Sequence, residues 1–271
     1  MREPDGVDAS NVEWCRPSNP AGVGALVLAG SSGHLPVDRA RVLADHGVSA
    51  VAFRWFGGPG LPSTPIGVEL ESFVHVIDAL ATTVDRVGIV GSSFGAEAAL
   101  SVAVRVSSVR SVVAFAPTTH VWPGRSDTGE AVSHWTWEGR PVPFAPMDPE
   151  WMPDADPPAY RSWYEVSAAA APDDARIRCE EIVGDVVLVA GGDDQVWPSH
   201  PWALDIERRR AAHRRPTSVV SLPDAGHRPV LPGERPPVGG VRMRRGGHRA
   251  ADAALGRIAL PEVLSALGIG A

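Results

Sequence analysis

Residues 91–95 read Gly-Ser-Ser-Phe-Gly and place Ser93 at the centre of a GxSxG motif. Serine is a weak nucleophile, so chemistry at this position requires a base that takes its proton and an acid that holds the base. An apolar run, 86–90, precedes the motif, and a helical pattern, 94–105, follows it. This context predicts a sharp turn that exposes Ser93 as a nucleophile. The alternative is a serine that only caps an ordinary helix.

Candidates for the acid and the base follow later in the chain. Asp193 and Asp194 come directly after the apolar run 184–191, and His227 follows the run 217–223. A histidine so placed takes the serine proton and returns it to the leaving group, while a carboxylate fixes its tautomer. Serine, acid and histidine in this chain order are typical of one hydrolase scaffold. The residues alone leave open which aspartate acts, and each loop by itself has ordinary turn composition.

Backbone N–H groups near Ser93 are needed to stabilise an oxyanion. The first candidate donor is Phe94, which follows the serine at the start of a helix. The second is expected in the loop after the run 24–30, where Gly33 and His34 are the candidates. The alternative for that loop is a turn that only leads into the next helix.

Six short apolar runs alternate with helical patterns along most of the chain. The runs are 24–30, 48–54, 86–90, 109–116, 184–191 and 217–223, and the helical patterns are 37–46, 67–84, 94–105, 200–213 and 250–267. Parallel strands need connections long enough to hold a helix, so this alternation predicts an α/β fold with a mainly parallel sheet and helices on both faces. We expect one domain over residues 1–271.

Residues 117–170 interrupt the alternation with an aromatic-rich, proline-rich segment that has no clear period. Long insertions of this kind are typical of lids and binding loops. We expect four indoles to contact a bulky apolar or aromatic substrate: Trp122, Trp135, Trp137 and Trp197. The alternative is that they pack the lid onto the body. His120 and His134 flank the insertion and could contact substrate. Isolated histidines near aromatic residues are more often structural, so we expect structural roles for both.

Composition excludes several classes of function. The formal net charge is −7 and the pI about 5.7, which argues against a nucleic-acid partner. All 25 basic residues are arginine, so lysine Schiff-base chemistry is excluded. The two cysteines, Cys15 and Cys179, have neither metal-ligand nor disulfide-scaffold spacing. We expect no metal, no cofactor, no membrane segment and a cytoplasmic location.

Several stretches resemble the C-terminal catalytic domain shared by acyl-CoA thioesterases and bile acid-CoA:amino acid N-acyltransferases. The most specific are GSSFGAEAALSVA, RIRCEEIVGDVVLVAGGDDQVWPS and LPDAGH, and the likeness runs from about residue 22 to the end. The resemblance implies an α/β-hydrolase fold with Ser93 as nucleophile, Asp194 as acid and His227 as base. The N-terminal β-sandwich domain usual in that family is expected to be absent. Serine at the nucleophile position resembles the hydrolytic branch of the family, whereas the acyltransferases carry cysteine.

The sequence therefore predicts a serine hydrolase acting on a small-molecule acyl thioester or ester, with coenzyme A or a carrier protein as a candidate leaving group. Two arginine clusters, 207–216 and 242–249, could bind the phosphate of such a group, or form solvated surface instead. Two other functions stay open at this point. One is acyl transfer or cyclisation through the same acyl-enzyme, and the other is a non-hydrolytic binding or tailoring protein on this scaffold.

Overall fold

The computed structural model describes residues 6–237 and 241–270. Within them the strands are β1 (Val12–Cys15), β2 (Val23–Leu28), β3 (Ser49–Phe53), β4 (Val68–Glu69), β5 (Arg86–Ser92), β6 (Val109–Phe115), β7 (Pro123–Arg125), β8 (Ala131–Ser133), β9 (Trp135–Trp137), β10 (Arg140–Pro141), β11 (Asp185–Gly191) and β12 (Thr217–Leu222). The α-helices are α1 (Val37–Asp45), α2 (Glu71–Ala81), α3 (Phe94–Arg105), α4 (Arg161–Ala169), α5 (Ser199–Ala212) and α6 (Arg249–Leu267). Short 3₁₀ turns lie at Ala9–Asn11, Asp173–Ala175 and Cys179–Glu181.

Seven strands form one sheet in the spatial order β1-β3-β2-β5-β6-β11-β12. All neighbours in it pair in parallel except β1 and β3, which pair antiparallel at one edge. The central strands are apolar along almost their whole length because helices cover both of their faces. This arrangement confirms the predicted α/β fold with a mainly parallel sheet.

The helices divide between the two faces of the sheet. Side chains of α1 and α6 share one buried cluster, and those of α2, α3 and α5 share the other. Helix α6 ends at Gly268, whose φ of 98° is the left-handed conformation that commonly terminates helices. None of the helices within residues 6–237 and 241–270 has both the length and the apolar character needed to span a bilayer.

Outside the insertion, the sequence does not predict the strands β1 and β4. Residues 67–84 have a helical pattern, yet α2 begins only at Glu71. The preceding residues pair instead with the insertion, where the N–H of Val68 donates to the carbonyl of His134 and that of Leu70 to Thr136. Pairing partners so distant in the chain leave no local signal at residues 68–69.

The insertion 117–170 begins at the carboxyl end of β6 and is more regular than its composition indicates. It contains the short strands β7 to β10 and the helix α4. Strands of two or three residues are too short for a period of two to be visible in the sequence. The end of the insertion lies against the loop after β11, where Arg161 donates from its backbone N–H to Gln195 and from its guanidinium to the carbonyl of Asp194.

Candidate active site

Ser93 lies on the tight turn between β5 and α3. Its φ of 56° and ψ of −123° are rare for a residue with a side chain and cost on the order of 1–3 kcal/mol. Glycines allow the close packing around it: a Cβ on Gly91 would lie 2.0 Å from the carbonyl oxygen of Gly95, and one on Gly95 would lie 2.4 Å from that of Ala29. The Ser93 N–H donates to Phe115 at 2.9 Å. The GxSxG spacing is therefore a packing requirement of this turn.

Ser93, His227 and Asp194 form one chain of hydrogen bonds. His227 Nε2 lies 2.9 Å from Ser93 Oγ, and His227 Nδ1 lies 2.9 Å from Asp194 Oδ2. A carboxylate that accepts from Nδ1–H leaves the lone pair of a neutral imidazole on Nε2, facing the hydroxyl. The Ser93 hydroxyl can then donate to the imidazole, which is the geometry required to remove its proton. The structure thus brings together residues from the loops after β5, β11 and β12.

The two aspartates of the loop after β11 (the acid loop), Asp193 and Asp194, have different surroundings. Asp194 is fully buried, and its Oδ1 accepts backbone N–H bonds from Val196 at 2.9 Å and Trp197 at 3.3 Å. These donors hold the carboxylate with both oxygens near His227 Nδ1, Oδ2 at 2.9 Å and Oδ1 at 3.0 Å. Negative charge on this buried group is stabilised by the two N–H dipoles as well as by the imidazole.

Asp193 instead fastens the loop to its neighbours. Its Oδ1 accepts from the Gln195 amide at 2.6 Å, and its Oδ2 accepts from the Gly247 N–H at 2.7 Å. Both carboxylate oxygens are therefore engaged away from His227. Asp194 is the aspartate that contacts the imidazole.

Phe94 and the loop after β2 surround Ser93 where an oxyanion would form. Phe94 is the first residue of α3, and first-turn N–H groups have no partner within a helix. On the other side the structure brings Gly30 against the serine, because a Cβ on Gly30 would lie 2.9 Å from Ser93 Cβ. Gly33, with φ 63°, packs instead on the Phe56 ring, and His34 is exposed. The sequence does not single out Gly30, and its place as the last residue of the first apolar run, 24–30, is the available signal.

The four indoles expected to contact substrate have structural surroundings. Trp122, Trp135 and Trp197 are fully buried, and Trp137 lies under the Arg105 guanidinium at the far end of α3. The expectation of direct substrate contact is therefore replaced, in this conformation, by a packing role. Trp197 still bears on the site, since its ring packs edge-on against His227 at 5.1 Å between centroids.

A buried carboxylate, Glu97, ties the insertion to the helix that follows Ser93. Its Oε1 accepts from the Trp122 N–H at 3.0 Å and from the Trp135 indole at 2.7 Å. His134 Nδ1 lies 3.2 Å from each carboxylate oxygen, and the His134 ring contacts Phe94 at 4.3 Å between centroids. The sequence does not predict Glu97 as a site residue, although an acidic residue inside the apolar run of α3 is a visible signal.

His120 is a second buried histidine of the insertion. Its Nδ1 lies 2.9 Å from Thr119 Oγ1, and its ring packs near Trp122 and Trp202. Burial, and then the charges of Arg176 and Arg209, lower the pKa of His120 from 6.5 to about 4. The imidazole is therefore neutral in the folded protein at neutral pH.

We expect the His120→Asn variant to lose part of the acid sensitivity of the fold. The unfolded chain binds a proton at His120 below a pKa of 6.5 and the folded chain only below about 4, so stability is lost as the pH falls between these values. From about pH 7 to about pH 5 the wild-type free energy of unfolding should fall by about 1–2 kcal/mol more than that of the variant. Urea denaturation at both pH values measures the free energy of unfolding. An equal fall of this free energy in the wild type and in the variant would refute the prediction.

Two arginines of the cluster 207–216, Arg209 and Arg210, are committed to the fold. Arg209 pairs with Glu180 and Asp205. Arg210 is fully buried and donates to the Thr217 hydroxyl and to four carbonyl oxygens, those of Cys179, Ile182, Gly184 and Pro216. Neither guanidinium is available to an outside phosphate in this conformation. In the second cluster, 242–249, Arg242 pairs with Asp156 on the surface.

A family model described as BAAT / acyl-CoA thioester hydrolase C terminal matches residues 68–237. The matched range contains Ser93, Asp194 and His227 together with the whole insertion 117–170. No curated protein matches the chain.

Solved structures with the same architecture include the following two. Est1E from Butyrivibrio proteoclasticus, solved with ferulic acid bound, is 12% identical, with a TM-score of 0.53 and coverage of 93% of this chain and 95% of that one. The dienelactone hydrolase-like promiscuous phosphotriesterase P91, from metagenomic libraries, is 18% identical, with a TM-score of 0.52 and coverage of 92% and 88%. At these identities the likeness establishes the fold alone, which is the α/β-hydrolase fold.

Proposed function

The chain belongs to the BAAT / acyl-CoA thioester hydrolase C-terminal family, and from this membership we propose that it cleaves an acyl thioester or ester through an acyl-enzyme on Ser93. The observation that carries the proposal is the position of His227, which lies 2.9 Å from Ser93 Oγ and 2.9 Å from Asp194 Oδ2. A histidine between a hydroxyl and a buried carboxylate can act first as base and then as acid.

The reaction has two halves. Ser93 Oγ attacks the substrate carbonyl while its proton moves to His227 Nε2, and the tetrahedral oxyanion accepts N–H bonds from Phe94 and from the loop at Gly30–Ser31. The imidazolium gives its proton to the departing thiol or alcohol, which leaves an ester on Ser93. Water then loses a proton to His227 and attacks that ester, and His227 returns the proton to Ser93 Oγ as the acid is released. Asp194 stays ionised throughout and stabilises the imidazolium.

Membership of this family supports a small-molecule acyl thioester as substrate, with coenzyme A or a carrier pantetheine as the leaving thiol. Oxygen esters are the second substrate class. A substrate panel that presents one acyl group both as thioester and as oxygen ester distinguishes the two classes by their rates of hydrolysis. Serine at the position of attack supports hydrolysis over transfer to an amine, and mass analysis of products with and without an added amine acceptor distinguishes these reactions.

Fluorophosphonate labelling followed by intact-mass spectrometry tests the proposal. We expect one adduct on the wild-type protein, none on Ser93→Ala, and a much slower reaction on His227→Ala, because the probe reacts with a serine that a base has activated. The same wild-type protein should release free thiol from acyl thioesters, whereas Ser93→Ala should not.

The matched control is Ser32→Ala, which removes an exposed serine in the loop after β2. It should label like the wild type. A folded wild-type protein that takes no label, or an adduct that survives in Ser93→Ala, would contradict the proposed role of Ser93.

A further inference from the structure

Arg39 of α1 lies behind the serine turn with its side chain only 11% exposed. Its guanidinium packs on the face of the Phe115 ring, 4.0 Å from the ring centroid. Its three nitrogens all donate to groups that adjoin the candidate active site. A buried guanidinium that is held this fully is costly to desolvate, so its partners are informative about its role.

Two of the contacts fix the position of Ser93. Arg39 NH1 donates to the hydroxyl of Ser92, the residue immediately before the serine. Phe115, under the guanidinium plane, accepts the Ser93 N–H on its carbonyl at 2.9 Å. The strained backbone of Ser93 persists only where its surroundings hold it. Arg39 contacts two of the residues that surround it, Ser92 and Phe115.

The remaining contacts fix the loop that carries His227. Arg39 NH2 donates to the carbonyl of Pro229, two residues after the histidine, at 3.0 Å. The guanidinium also makes a two-point pair with Glu234, from Nε to Oε1 and from NH2 to Oε2. Such paired bonds restrict orientation as well as distance. The side chain of Glu234 is only 7% exposed, so solvent screens this pair little.

We propose that Arg39 is a positioning residue that sets the distance between Ser93 Oγ and His227 Nε2. One rigid guanidinium bonds to the serine turn and to the histidine loop at once, although these segments are more than 130 residues apart. Arg39 acts through Ser92, Phe115, Pro229 and Glu234 and does not contact the substrate. The role rests on the proposed function, because it concerns the reactivity of Ser93 toward His227.

The test compares Arg39→Met with the wild type in the rate and the final extent of fluorophosphonate labelling. We expect the variant to reach the same final labelled fraction with a rate constant lower by about 10- to 100-fold, since a misplacement of about 1 Å at a reacting pair has an effect of this size. Steady-state thioester hydrolysis should show the loss in kcat with KM nearly unchanged. A residue that only stabilises the fold would lower the melting temperature and the labelled fraction but not the rate constant.

Two further variants, Arg39→Lys and Arg41→Met, complete the test of the role of Arg39. Lysine keeps the charge but lacks the planar fork that bonds to both segments. The labelling rate constant of Arg39→Lys should therefore fall between those of the wild type and Arg39→Met. If Arg39→Met does not fold, the comparison is made with Arg39→Lys alone. Arg41 lies on the same helix, 61% exposed, and its replacement should leave the rate constant unchanged. Wild-type rate constants in both Arg39 variants would overturn the positioning role alone, whereas a wild-type protein without label would overturn the proposed function and this role together.

Discussion

Replacing Asp194 by asparagine is expected to lower kcat by about 10⁴-fold, the effect of the equivalent change in the triad of a serine protease. This corresponds to about 5.5 kcal/mol in the activation free energy. The fold should be retained, because asparagine has the size of aspartate and can still accept the two backbone N–H bonds of the acid loop.

The surroundings of Asp194 explain why so small a change has so large an effect. Oδ1 accepts from the Val196 and Trp197 N–H groups, so the carbonyl oxygen of an asparagine must occupy that position. Its NH₂ group then takes the position of Oδ2, which at 2.9 Å from His227 Nδ1 is slightly nearer than Oδ1 at 3.0 Å. An NH₂ group donates, which forces the proton of the neutral imidazole onto Nε2. Nε2 can then no longer accept the proton of Ser93.

Asp193→Asn is the matched control, since it makes the same chemical change one residue earlier. Asp193 bonds to Gln195 and Gly247 and not to His227, so its replacement should cost stability through a weakened loop contact and leave kcat near the wild-type value. Steady-state kinetics on both variants, with folding checked by circular dichroism, measures the difference. Equal losses of kcat in the two variants would show that the acid has been assigned wrongly.

Much of the fold follows from local patterns in the sequence. Each of the six predicted apolar runs becomes a strand of the main sheet, because a strand covered on both faces must be apolar along its length. The edge strand β1 has no such signal: its residues Glu13 and Trp14 are partly or fully exposed, and its pairing with β3 depends on residues some 40 positions later. The same holds for β4, which pairs with β9 across more than 60 positions.

The same distinction holds for the residues of the candidate site, since some have a local signal in the sequence and others do not. Ser93, the aspartate pair and His227 are visible in the sequence because each lies within four residues of the end of an apolar run, and their catalytic roles stay predictions. Glu97 and Arg39 are not visible as site residues. Their hydrogen-bond partners lie 25 to 38 positions away for Glu97 and 53 to 195 positions away for Arg39, so only the folded chain brings these groups together.

Replacing Glu97 by leucine is expected to lower the free energy of unfolding by about 3–5 kcal/mol, the usual cost of removing one partner from a buried ionic or hydrogen-bonded group. Leucine would leave the Trp122 N–H, the Trp135 indole N–H and His134 Nδ1 buried without an acceptor. These groups belong to the first half of the insertion, so faster amide hydrogen exchange should appear there before it appears in the sheet.

Glutamine at position 97 separates the loss of hydrogen bonds from the loss of negative charge. Its carbonyl oxygen can take the position of Oε1 and accept from Trp122 and Trp135, and its NH₂ group can donate to His134 Nδ1 once the neutral imidazole carries its proton on Nε2. All three partners are then satisfied, so Glu97→Gln should cost about 1 kcal/mol or less. Urea denaturation of both variants provides the comparison. Equal destabilisation by leucine and glutamine would show that the negative charge, rather than the set of acceptors, holds the insertion to α3.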